Sequence, residues 1–164
     1  ARKAQQEGLS NVAFLRTQIE QVSTYFSPGE VQEIWITFPD PQLRISKAKK
    51  RLTHPRFLRL YQQFLQPNGR VHLKTDSPDL YQFTKLVIEH YRCPIHADLD
   101  HVYAQSILSA DLKIKTHYES LDIAGSNRIH YLSFSLTPEL ASLESELAFK
   151  EKLVNQETSS NSTS

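Results

Sequence analysis

The alternation of strand-like and helix-like patterns between residues 31 and 91 does most to limit the fold. "VQEIWITF" at 31–38 is rich in β-branched and aromatic residues and almost continuously apolar, as expected of a strand covered on both faces. Phe57, Leu60, Tyr61, Phe64 and Leu65 then share one face of a helix that Thr53 or His54 can cap, with Pro55 in its first turn. "QPNG" closes that helix, and "RVHLKTD" at 70–76 supplies a second strand. Ser77-Pro78-Asp79 opens a further helix with Leu80, Phe83, Val87, Ile88 and Tyr91 on its inner face. Strands joined by crossover helices imply an α/β fold with a mostly parallel sheet, in which ligands bind beyond the carboxyl ends of the strands.

The flanking segments extend this pattern. "ARKAQQEGLSN" reads as a helix end closed near Gly8, "NVAFLRT" as a short strand, and "IEQVSTYF" as a helix with Ile19, Val22 and Phe26 on one face. A loop with a short helix around Val102 to Leu108 is expected between 93 and 111. "LKIKTHYE" and "RIHYLSFSL" read as antiparallel edge strands around a turn near Gly125. The expected division is a partial domain over 1–136, a C-terminal helix over 137–152 and a polar tail over 153–164 that does not fold.

At 164 residues, 39% of them hydrophobic, the chain is sized for one domain with a real core. No apolar run approaches the roughly 18 residues of a membrane span, and no signal peptide is visible. The single cysteine, Cys93, excludes an internal disulfide and suits a reducing cytoplasm. The histidines form no metal motif, and His96 and His101 beside Asp98 and Asp100 read as a polar loop. With only Gly8, Gly29, Gly69 and Gly125, the sequence has no phosphate-cradling glycine loop.

Chemistry concentrates at two strand ends. "ITFPD" and "HLKTD" each finish in an acid, so neighbouring strands would present Asp40 and Asp76 on one edge. Pro39 and Pro41 restrict the backbone on both sides of Asp40 and prearrange its carboxylate. The net charge of +1 conceals a basic run, Arg44, Lys47, Lys49, Lys50 and Arg51, directly after that turn. A run so placed is expected to contact nucleic acid phosphates, whereas Phe57 and Tyr61 nearby read as core.

"FPDPQLRISKAKKRLT" together with "FLRLYQQFLQPNGRVHLKTD" and the later "THYE" resembles the bacterial tRNA (guanine-N7)-methyltransferase family. The resemblance spans about 1–136. It implies a class I, Rossmann-like methyltransferase fold and S-adenosylmethionine-dependent methylation of guanine N7 in the tRNA variable loop. By position it makes Asp40 the catalytic and cofactor-side acid and Gln18 a cofactor contact. Arg44, Asp76, Thr116 and Glu119 become substrate-binding positions, and Lys47, Lys49, Lys50 and Arg51 the phosphate-contacting run.

The chain departs from the family at Gln42 for a tryptophan, Lys47 for a histidine and Gln18 for an aspartate. The family's first βαβ unit, with its glycine-rich cofactor loop, has no counterpart, so a fragment inactive by itself is expected. Two other functions suit parts of the sequence. A non-catalytic RNA-binding module would use the basic run alone, and a related methyltransferase with a small-molecule or protein substrate would leave that run unexplained.

Overall fold

The computed structural model describes residues 2–116, 119 and 128–161. The helices are α1 (Arg2–Gln6), α2 (Pro55–Tyr61), α3 (Pro78–His90), α4 (Ala110–Lys113) and α5 (Leu143–Asn161). The strands are β1 (Val31–Thr37), β2 (Leu65–Thr75), β3 (Ile95–Leu99) and β4 (His130–Ser135). They form one four-stranded sheet in the order β1-β2-β4-β3. β1 and β2 are parallel, and β4 runs antiparallel to both β2 and β3.

The α/β alternation is therefore as read from the sequence, and His54 and Ser77 are the residues that start the helices. His54 Nδ1 accepts from the Arg56 N–H at 3.2 Å, and Ser77 Oγ accepts from the Leu80 N–H at 3.2 Å. Thr53 is instead buried, its hydroxyl 2.8 Å from that of Thr84. Side chains alternate along β2. Val71 and Leu73 are fully buried against the helices, among them Leu80, Val87 and Ile88 of α3, while His72 and Lys74 point to the other face. β2 begins earlier than expected and its register slips against β1 between Val31 and Glu33. Gly69 permits this, because a Cβ there would stand 2.6 Å from Leu65 Cγ and 2.9 Å from the Gln32 carbonyl.

Five segments differ from the sequence reading. Residues 11–18 form no strand: Val12, Phe14 and Leu15 are exposed, and no described strand lies beside them to complete a ladder. Ile19–Thr24 is a 3-10 turn rather than an α-helix. The spacing of Ile19 and Val22 serves either geometry, since both bring i and i+3 together. Ile95–Leu99 is a strand where a loop was expected, so antiparallel β4 lies one place in from the edge, between β2 and β3. "LKIKTHYE" supplies α4 and an irregular stretch, and Tyr118 lies outside the described residues. α5 continues past residue 152 to Asn161 and seats Phe149 in the main core against Tyr91. Among the described residues, no helix is long and apolar enough to cross a membrane.

A candidate active site at the carboxyl edge of the sheet

β1 ends in a turn held by three devices. The Phe38 N–H continues the ladder by donating to the Lys74 carbonyl at 2.8 Å. Asp40 Oδ1 accepts from the Gln42 N–H at 3.0 Å, closing the turn around Pro41. Arg51 then reaches back: Nε donates to the Pro41 carbonyl at 3.1 Å, and Nη2 to Gln42 at 3.1 Å and Leu43 at 3.4 Å. Its guanidinium lies over the Phe83 ring at 4.5 Å. These bonds offset strain, because Phe38 and Gln42 both adopt a φ of 48°, which costs non-glycine residues about 1–3 kcal/mol.

Arg51 differs from its neighbours in the run. It is 6% exposed, burial lowers its pKa against the opposing charge of Asp79, and its Nε and Nη2 are bonded to loop carbonyls. It builds the Asp40 turn. Replacing Arg51 with Ala should destabilise the fold by about 2–3 kcal/mol, because a charged donor and its packed stem are lost together. A denaturant melt checks this, and an unchanged midpoint would show that Arg51 does not hold the turn.

The register that pairs Thr37 with Lys74 places Asp40 and Asp76 at the same edge of neighbouring parallel strands. Ser77 caps α3, so Asp76 is not needed there. Its half-buried carboxylate takes no hydrogen bond or ion pair among the described residues. Asp40 is exposed with one carboxylate oxygen spent on Gln42. The edge therefore offers free carboxylate oxygens from both acids, of which Asp40 is held by a hydrogen bond.

Behind them lies a buried ion pair. Lys74 and Glu119 have side chains 3% and 2% exposed and meet at 3.1 Å. Lys74 Nζ also donates to the carbonyls of Leu112 at 3.3 Å and Ile114 at 3.1 Å and to Tyr103 Oη at 3.2 Å. Those carbonyls answer to an ammonium, which is why 112–116 does not join the sheet. Tyr103 donates to Glu119 Oε1, and burial followed by that carboxylate pushes the phenol pKa up. Thr116 and Glu119 exchange side chain and backbone as a capping box, at 3.1 and 3.2 Å.

Both Glu119 oxygens are engaged by Lys74, Tyr103 and the Thr116 N–H, so the carboxylate holds half-buried Thr116 in place. Sequence reasoning passed over Lys74, although a lone cation inside the apolar "VHLKT" was a signal that something buried must pair with it.

Arg44, Lys47, Lys49 and Lys50 behave as expected of a solvent-facing run. All four are exposed, and none forms an ion pair with a described residue. The 3-10 turn Ile45–Lys50 carries them, anchored by Ala48 at 4% exposure. With three residues per turn, Lys47 and Lys50 lie one above the other. Gln18 is exposed and precedes Ile19, which lines a cavity of about 470 Å³ along β1. Elsewhere, Asp98 is taken by Tyr81 and Lys85, and Asp100 by Arg128 and His130. Cys93 is buried and its pKa raised by that burial, which leaves it a poor nucleophile.

The α/β sheet thus carries two acids at its carboxyl edge, with an exposed basic segment following the first of them. Residues 1–130 match the family model described as "Putative methyltransferase", and the chain belongs to that methyltransferase family. It is 49% identical over 137 residues to the tRNA (guanine-N(7)-)-methyltransferase of Porphyromonas gingivalis, covering 83% of this chain and 55% of that protein. Identity to the protein of the same name from Bacteroides thetaiotaomicron is 42% over 139 residues, 85% of this chain and 54% of that one. The chain spans about half the length of these curated relatives. Among solved structures, the geranyl diphosphate C-methyltransferase of Streptomyces coelicolor superposes with a TM-score of 0.47 at 12% identity, over 83% of this chain and 58% of that one.

Proposed function

We propose that this chain is the substrate-facing part of an S-adenosylmethionine-dependent tRNA (guanine-N7)-methyltransferase working in the cytoplasm. The observation that carries the reading is the juxtaposition at one sheet edge of Asp40, Asp76 and four exposed cations without ion partners among the described residues. A non-catalytic RNA-binding module would not need two prearranged acids there, and a small-molecule enzyme would not need the cations.

The described residues fit one side of the cofactor. Ile19, Ile36 and Pro39 line an apolar slot that reaches Thr37, and the Gln18 amide next to Ile19 is suited to hydrogen bond an adenine edge. The glycines stand singly along the sequence, with no glycine-rich run for the methionine end. S-adenosylmethionine supplies an electrophilic methyl group when bound. Guanine N7 carries an exposed lone pair, so no base is needed to free it, and the work of this chain's residues is positioning and charge stabilisation.

Methylation leaves the purine cationic. The free oxygen of Asp40 and the carboxylate of Asp76 would accept from the guanine N1 and N2 donors and stabilise that charge. Thr116, held by Glu119, would be a further substrate contact. Arg44, Lys47, Lys49 and Lys50 would hold phosphates while the base leaves its stack.

The test is methyl transfer to tRNA by the full-length protein, with the modified base identified by mass spectrometry. Changing Lys47, Lys49 and Lys50 together to Ala should reduce the slope of log K against log salt by about 2, at about 0.7 per contact. The rate at saturating tRNA should persist. An unchanged slope, or methylation at an atom other than N7, would reject the reading.

A further inference from the structure

The chain around Asp40 passes from one face of the sheet to the other. Phe38, just before the turn, packs against the smaller apolar cluster of Val102, Leu112, Ile129 and Tyr131. That cluster lies on the face to which His72 and Lys74 point, since His72 bonds to Tyr131 and Lys74 to the Leu112 carbonyl. After the turn, Ala48 packs into the main core and Arg51 lies over Phe83 of α3, on the opposite face. Asp40 therefore stands on a crossing of the carboxyl edge, beside Asp76, and the basic run that follows it is confined to the α3 face.

The other face has cations of its own. Lys113 and Lys115 are exposed, and neither forms an ion pair with a described residue. Their backbone is fixed from beneath by Lys74, one residue short of the carboxyl end of β2. Its Nζ donates to the carbonyls of Leu112 at 3.3 Å and Ile114 at 3.1 Å, the residues on either side of Lys113. Lys115 is seated as well, with Nζ 4.8 Å from the centre of the Tyr103 ring, and the Tyr103 hydroxyl is tied to Glu119. A cation resting on an aromatic face gives up less freedom on meeting an anion than one on an unsupported stem. The next residue is Thr116, held by Glu119 at 3.1 and 3.2 Å.

Two cationic segments on opposite faces, with two acids on the rim between them, define a path for a polyanionic strand. A base drawn out of its stack has phosphates on both sides of it, and a strand held on one side only can swing with the base. We propose that Lys113 and Lys115 bind phosphate on one side of the target guanine and the 44–50 run binds phosphate on the other. The tRNA strand then passes over the carboxyl edge from face to face. This rests on the reading of the chain as tRNA-facing and adds to it a second anchor and the course of the strand.

Changing Lys113 and Lys115 together to Ala in the full-length protein should lower the slope of log K against log salt by about 1.4, at about 0.7 per contact. Arg at both positions should restore it. The side is read with tRNA carrying a single uncharged methylphosphonate just 5′ or just 3′ of the target guanine. Each substitution should weaken binding to the unsubstituted protein. The Lys113→Ala, Lys115→Ala variant should stop responding to one of them, and the Lys47→Ala, Lys49→Ala, Lys50→Ala variant to the other. An unchanged slope, a variant that still responds to both substitutions, or two variants made indifferent to the same one overturns the proposal. So does an unsubstituted protein indifferent to either methylphosphonate. Methylation of guanine N7 by that protein in the same preparation would leave the tRNA reading standing in each of these cases. A full-length protein that neither binds nor methylates tRNA removes that reading and this proposal with it.

Discussion

Replacing Lys74 with Met should destabilise the fold by about 3–5 kcal/mol, the cost of leaving a buried carboxylate without its counter-charge. Glu119 would keep Tyr103 and the Thr116 N–H but lose the ammonium 3.1 Å away, with a side chain only 2% exposed. Set against the roughly 5–15 kcal/mol that holds a domain together, this is a large fraction. The converse change, Glu119→Gln, should cost less, because Lys74 would retain the Leu112 and Ile114 carbonyls and Tyr103. The double variant Lys74→Met, Glu119→Gln should recover part of the loss, giving a coupling of about 2 kcal/mol in a denaturant-melt cycle.

A pH signature separates this from simple loss of packing. In Lys74→Met the unpaired Glu119 would have its folded-state pKa raised above the unfolded value of roughly 4.3. The folded state would then bind more protons than the unfolded one, so stability should fall as pH rises above about 4.3 and the penalty should shrink in acid. A penalty below about 1 kcal/mol, or one independent of pH, would show that the pair does not organise this edge.

Much of the fold was legible because local and tertiary preferences agree in it. Ser77 with Pro78 starts α3, and the stripe Leu80, Phe83, Val87 and Ile88 faces inward; "VQEIWITF" is a strand, but not one covered on both faces, because β1 stands at the edge of the sheet with Ile36 its one buried residue. Legibility failed where the outcome depends on a neighbour. "IHADL" is short, and becomes β3 because β4 pairs with it at Asp98 and Leu99. "NVAFLRT" has the composition of a strand and no described strand beside it. The basic run shows the same limit within eight residues: Lys47, Lys49, Lys50 and Arg51 read alike, but only Arg51 has bare loop carbonyls and the Phe83 ring within reach. Asp40 and Asp76 were legible as a pair because parallel strands of similar reach end at one edge.

Asp40→Ala in the full-length protein should lower methyl transfer by about 10²–10³-fold, the usual loss when one preorganised electrostatic contact to developing charge is removed. Its tRNA affinity should change little, because the exposed cations proposed to hold phosphates make no contact with Asp40. Alanine alone is ambiguous: Asp40 Oδ1 also holds the Gln42 N–H at 3.0 Å, so the variant loses the turn bond together with the charge. Asp40→Asn separates the two, since an amide oxygen still accepts from Gln42 while the negative charge is gone. If charge is what the reaction uses, Asn should be nearly as inactive as Ala at unchanged stability. If Asn retains most of the activity, Asp40 serves the turn, and the charge must come from elsewhere. Asp76 is then the remaining free carboxylate at this edge, and because it makes no bond among the described residues, Asp76→Asn reports on chemistry without disturbing the fold. A larger loss from Asp76→Asn than from Asp40→Asn would exchange their roles, with Asp40 shaping the edge and Asp76 facing the methylated purine.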